Sequence, residues 1–234
     1  MRDVNRVLVA SALALFVASI VPAQWNKKPY TEWSEKEAMK VLNDSPWGQT
    51  QRLTDTSQMT GQGRADSSGS RIQEVFYVNF RIRFLSAKPV RQALSQLMDM
   101  SNRERISAEL ANRLRQFADA PFPDYVVITV SADADRGSRL LQQSQQAFYK
   151  FTTNELKNNT YLVASGQRVF IQEYQPPGKD GFGAKFIFPR LVDGKPFITP
   201  ESGEVLFHSE PSGATALHMR YKVKDMMFDG KLEY

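Results

Sequence analysis

The sequence predicts an α+β fold, a largely antiparallel sheet packed on helices, with a tethered helix in front. Three observations carry this expectation. Phe76, Val78, Phe80, Ile82 and Phe84 alternate with Tyr77, Asn79, Arg81 and Arg83, which gives one strand a wholly apolar face. Helical spacing of apolar residues is confined to the first two thirds of the chain, and from Thr160 onward only strand and turn patterns are legible. Helices and strands that segregate along a chain, instead of alternating, define α+β architecture.

The chain opens on a leader, residues 1–23. Arg2 and Arg6 precede an apolar run from Val7 to Val21, and Val21-Pro22-Ala23 sets small residues where signal peptidase cuts. The run of 15 residues falls short of the roughly 20 that a bilayer-spanning helix needs. Cleavage after Ala23 is therefore expected, with retention as an anchor the alternative. The chain has no cysteine, which excludes a lipid-bearing thiol and any disulfide. Of the formal charge of +5, the leader contributes +1 through Arg2, Arg6 and Asp3, leaving +4 on the exported part. An envelope protein or an anionic envelope polymer suits such a chain as partner. Nucleic acid does not, because no Lys/Arg block stands out.

Residues 24–48 form an aromatic-rich unit. Ser34 and Glu37 are spaced as a capping box, and Ala38, Val41 and Leu42 give the helix that follows one apolar stripe. Asn43-Asp44-Ser45-Pro46 ends it, since the residue before proline disfavours helix. Tyr30, Trp33 and Trp47 bracket the helix. They either clip it onto the main domain or offer a docking platform for a protein or saccharide. Residues 49–71 read as a linker, free of aromatic residues and dominated by Thr, Ser, Gln and Gly.

The run Trp33–Ala38 with Ser45-Pro46-Trp47, together with the ending Asp225–Tyr234, resembles a family of exported bacterial proteins of unknown function. The resemblance implies export. It brings no known activity and no functional residue.

Residues 72–234 form the α+β domain. After the Phe76–Phe84 strand, Lys88-Pro89 starts a helix with proline in its first turn, and Val90, Ala93, Leu94, Leu97 and Met98 follow at helical spacing. Ser101 and Glu104 are spaced as a second capping box, ahead of Ile106, Leu110, Leu114 and Phe117. Tyr125–Val130 is a near-continuous apolar run suited to a central strand, and Arg139–Phe151 returns to helix. The remainder reads as strands at 160–164, 168–174, 184–188, 204–208 and 215–224. Ser165-Gly166, Asp193-Gly194 and Asp229-Gly230 mark tight turns.

The familiar catalytic signatures are missing: no Gly-x-Ser-x-Gly, no Ser-x-x-Lys, no His-Glu-x-x-His and no thiol. The sequence therefore favours a non-enzymatic binding or scaffolding module of the bacterial cell envelope, with a metal-assisted hydrolase of envelope material as the alternative. No cofactor is called for, although two clusters could hold a metal.

Asp133 and Asp135, two residues apart between strand and helix, could hold calcium or magnesium. Turn and capping chemistry explains them equally well. In Pro176–Gly183, Lys179 and Phe182 are candidate binding residues on a glycine-rich loop.

His208 and His218 form the second cluster. Val205 and Phe207, and likewise Leu217, Met219, Tyr221 and Val223, are odd-numbered and apolar, so core packing requires odd to oppose odd. A turn at Ser212-Gly213-Ala214 then sets His208 opposite His218 on the outer face, with Glu210 two residues along. Two imidazoles and a carboxylate there suit zinc with one open position. Solvated surface histidines are the other reading.

Overall fold

The alternation of Phe76–Phe84 becomes a strand whose even residues are buried from Val78 onward. In the computed structural model the described residues are 28–55, 64–65, 71–72, 76–101, 107–134, 137–211 and 215–234. The leader, most of the Ser101–Glu104 box, Asp135 and the 212–214 turn lie outside them.

The elements are, in order, α1 (Glu35–Asn43), β1 (Gly48–Asp55), β2 (Arg64–Ala65), β3 (Arg71–Ile72), β4 (Phe76–Phe84), α2 (Lys88–Ser101) and α3 (Ala108–Asp119). Then come β5 (Tyr125–Ala134), α4 (Arg139–Lys150), α5 (Thr153–Leu156), β6 (Thr160–Ala164), β7 (Gln167–Phe170) and β8 (Glu173–Gln175). The chain continues through β9 (Ala184–Pro189), β10 (Leu191–Val192), β11 (Lys195–Pro196), β12 (Glu204–Ser209), β13 (Leu217–Lys222), β14 (Met227–Phe228) and β15 (Lys231–Leu232). All the ladders are antiparallel, and the α+β class holds.

Two sheets carry the core, one ordered β1-β4-β5-β9-β8 and the other β13-β12-β6-β7. Register puts Phe84 beside Ile128 and Ile128 beside Phe186, so the even residues of β4, β5 and β9 share one buried face. The second sheet turns its own apolar face onto it. Phe207 meets Phe186 and Phe188 edge-on, with centroids 5.4 and 6.3 Å apart, and Tyr221 meets Phe84 at 4.7 Å. These are T-shaped pairs, in which a ring's positive edge faces its partner's negative face. The buried Tyr221 hydroxyl donates to the Ile82 carbonyl at 2.9 Å, satisfying the one polar atom it brings into the core. Beyond the second sheet α4 continues the cover, with Phe148 edge-on to Phe80 at 6.4 Å.

The Phe76–Phe84 platform is thus closed by a sheet and α4. Of the helices at 88–119, α2 packs between α1 and α3, and its Val90, Ala93 and Leu94 join the same core. Ser107 caps α3, accepting from the Leu110 amide at 3.1 Å, and Leu110 itself is exposed. Among the described residues no helix is long and apolar enough to cross a membrane.

Residues 49–55, expected as the start of a linker, are strand β1, paired with β4 from Gly48↔Arg83 to Asp55↔Phe76. Hydrogen bonds and stacking hold this mostly polar strand, with Leu53 packed against the core. Thr50 donates to the Asn43 carbonyl at 3.2 Å, and the Arg52 guanidinium lies 3.8 Å over the Tyr77 ring. Asp55 is buried, accepting from the Ser138 hydroxyl at 2.5 Å and the Leu140 amide at 3.2 Å. A carboxylate there complements the helix dipole at the start of α4.

The strand expected at 168–174 is two strands. The chain leaves the smaller sheet at Ile171, whose amide donates to Thr160, and joins the larger at Gln172, whose amide donates to Ile187. The three tight turns are found where expected, with positive φ at both residues of Ser165-Gly166, Asp193-Gly194 and Asp229-Gly230.

Candidate functional site

The outer face of the smaller sheet carries the site. The β12–β13 register sets Phe207 opposite Met219 and His208 opposite His218. On its other side His208 opposes Tyr161, and Tyr161 opposes Phe170. Four rings therefore line up across four strands. Tyr161 stacks on His208 with centroids 4.4 Å apart and planes 19° from parallel, and Arg168 sits 4.7 Å from the centroid of the Tyr161 ring.

The two imidazoles bring their Nδ1 atoms to 2.9 Å, while His208 Nε2 lies 3.7 Å from a Glu210 carboxylate oxygen. Burial pushes the His208 pKa down, and the neighbouring His218 and Arg168 add to this against the opposing pull of Glu210. A neutral ring offers one nitrogen as a lone pair. At this distance one ring donates its Nδ1–H to the Nδ1 of the other, and a cation that takes both lone pairs would replace that proton.

Beside this pair runs an open groove of about 700 Å³, floored by Gln49 and Thr50 of β1 and walled by Asp44, Arg220, Lys222 and Asp225. Arg220 and Lys222 continue along β13 from His218 on the same outward face. Gln51 ties the two sheets together next to the site, its carbonyl accepting the His218 amide at 2.8 Å and its amide donating to the Ala216 carbonyl at 2.9 Å.

The other candidates lie apart. Trp33 is 2% exposed and Trp47 1%, so neither presents a platform. Trp33 donates to the Lys28 carbonyl, and the half-buried Tyr30 meets it edge-on at 6.3 Å. The capping box at Ser34 and Glu37 forms, and Lys28 joins it at 2.8 Å; these bonds hold the Glu37 carboxyl down at about 2.

Asp133 stands on β5, on the other sheet, with both oxygens engaged by Arg81 (2.7 and 3.3 Å) and by Asn79 at 3.0 Å. Partial burial pushes its pKa up, but these bonds and the charges of Arg81 and Arg83 outweigh that and hold it below the ordinary carboxylate value. A carboxylate so occupied has little left for calcium. In the 176–183 loop, Lys179 is exposed, and Phe182 stacks on Phe117 with centroids 5.3 Å apart. Asp180 anchors that loop through Lys185 at 2.7 Å and the Phe182 amide at 3.0 Å.

Of the residues singled out from sequence, the structure brings together His208, His218 and Glu210. Tyr161, Arg220, Lys222 and Gln51 complete the surroundings. In β6 the core residues are the even ones, Leu162 opposing Phe207 and Ala164 opposing Val205, and matching that parity to β12 would have found Tyr161. Gln51 had no signal, because it sits in a polar stretch without alternation.

No family model matches the chain, and neither do curated proteins or solved structures. The two segments that carry the resemblance to exported proteins do meet in space, as Trp47 donates from its indole to the Glu233 carbonyl at 2.8 Å.

Proposed function

We propose that the protein is a non-enzymatic binding or scaffolding module of the bacterial cell envelope, which engages a partner protein or polymer through the groove beside β13. The groove itself is the observation that carries this reading. It is open, lined by hydroxyl, amide and charged side chains of both signs, and rests on two strands tied together by Gln51. Such a surface suits a polar, extended ligand whose hydroxyl, amide or charged groups can replace water.

Reversing both charges on β13, with Arg220→Glu and Lys222→Glu, is expected to weaken recovery of the protein with purified envelope polymer or from envelope extract about tenfold or more. The folded state should lose little, because both side chains are exposed and the Arg220–Glu204 pair at 3.3 Å that is given up lies on the surface. Recovery at the wild-type level would remove the groove as the binding surface.

A metal-assisted hydrolase of the same material is the second reading. It is favoured by the histidine pair, which lies two residues from Arg220 on the same face of β13. Release of soluble fragments from the polymer by the wild-type protein, absent in His218→Ala, separates hydrolysis from binding.

A further inference from the structure

We propose that His208 and His218 bind a divalent transition-metal ion of the Zn²⁺ class between their Nδ1 atoms, with Glu210 orienting the His208 ring.

The first support is placement. The chain has two histidines in 234 residues, and the fold puts both into one cross-strand pair. Neither lies on the core face, which the odd-numbered residues of both strands form; on the outer face His208 stacks on Tyr161 and His218 is exposed.

The second is distance. Zinc–nitrogen bonds of about 2.0–2.1 Å at the tetrahedral angle require two nitrogens about 3.3 Å apart. The observed 2.9 Å corresponds to an angle near 90° at the same bond length, and small ring rotations on the exposed His218 side cover the difference. Imidazole nitrogen selects the zinc, copper and nickel group over calcium and magnesium, which prefer oxygen.

The third is the environment of the other nitrogen. Histidine ligands of metals commonly give their second ring N–H to a carboxylate, which fixes the tautomer and leaves the ligating nitrogen with its lone pair. Glu210 approaches His208 on the Nε2 side, with a carboxylate oxygen 3.7 Å from that nitrogen. In this arrangement it is a positioning residue instead of the third ligand expected from sequence, and the remaining coordination positions fall to water or to a ligand in the neighbouring groove. Tyr161, stacked on His208, holds that ring in place, and Gln51 holds the backbone of His218. Arg168 is the opposing charge, 4.7 Å from the Tyr161 ring centroid. The inference stands whether or not the groove binds an envelope component.

The test is titration of the full chain with Zn²⁺ by calorimetry at neutral pH, in parallel with titration of Cu²⁺ or Co²⁺ followed through the imidazole C–H signals in NMR. With two histidines in the chain, His208→Asn and His218→Asn assign the signals. One saturable equivalent is expected, with both imidazole signals perturbed at the same metal ratio. Glu210→Gln should weaken binding by about 10-fold, and each histidine variant by more. No saturable binding by the wild-type protein, perturbation of a single imidazole, or equal binding by wild type and both histidine variants would overturn the site. The wild-type NMR titration needs no variant, so the result does not depend on how the substitutions fold.

Discussion

Trp47→Ala is expected to lower stability by about 3–5 kcal/mol, the range for truncating a large buried ring. The thermal midpoint should fall by at least about 6 °C, at roughly 2 °C or more per kcal/mol for a domain of this size. Two side-chain contacts explain the size of the effect, and a backbone bond fixes the position of the residue. The Trp47 ring meets Phe228 edge-on at 6.0 Å, its indole N–H donates to the Glu233 carbonyl, and its own carbonyl accepts the Phe84 amide at 2.8 Å. Truncation removes the first two and leaves the Glu233 carbonyl without that donor. Trp47→Phe keeps much of the ring and loses the indole bond, so it should fall between wild type and Ala. Denaturant unfolding of the three proteins decides the matter. A loss below about 1 kcal/mol for Ala would mean that the Trp47 side is not anchored as described.

Arg91→Met is expected to cost about 3 kcal/mol or more, because an unsatisfied buried carbonyl costs about 1–3 kcal/mol and several lose their donor at once. Arg91 is 3% exposed. Its guanidinium donates to the carbonyls of Leu85 (3.3 Å), Ser86, Phe117 (3.2 Å) and Ala120 (2.6 Å), and lies 4.8 Å over the Phe122 ring. Burial pushes its pKa down to about 10, which still leaves it charged at neutral pH. A fixed cation at the C-terminal end of α3 also complements the helix dipole. Arg91→Lys keeps the charge but loses the fork of donors, so it should recover only part of the loss. Equal stability of wild type, Lys and Met in denaturant unfolding would show that these carbonyls find other donors.

What was legible in the sequence follows from how local its cause is. The β4 alternation, the Ser34–Glu37 box and the three glycine turns each need only a few adjacent residues, and each took the form expected. The register of His208 and His218 was legible for a related reason: the parity of the apolar residues requires odd to oppose odd, and the short connection between the two strands then selects the alignment found.

Strand β1 was not legible. Its residues alternate in nothing, and its place is fixed by partners such as Asn43, Tyr77 and Ala216, spread along the chain. The buried charges Arg91 and Asp55 were hidden for the same cause, since a charged residue reads as surface until its distant partner is known. The Trp unit was undecidable in a different way. A buried clip and an exposed platform call for the same rings, and only the fold shows which side of Trp33 and Trp47 is covered.

The side chain of Gln51 has a consequence for self-association. A strand at the margin of a sheet offers unpaired amides and carbonyls that can template pairing with another chain. Here the margins β1 and β13 face each other, and Gln51 occupies the Ala216 carbonyl and the His218 amide between them. At the opposite margin the chain runs directly from β7 into β8 through Ile171 and Gln172, and both strands are short. Gln51→Ala would uncover one donor and one acceptor on β13 while leaving the apolar core intact. Its cost would then fall on colloidal behaviour at high concentration, through strand-to-strand association between molecules, more than on the unfolding midpoint.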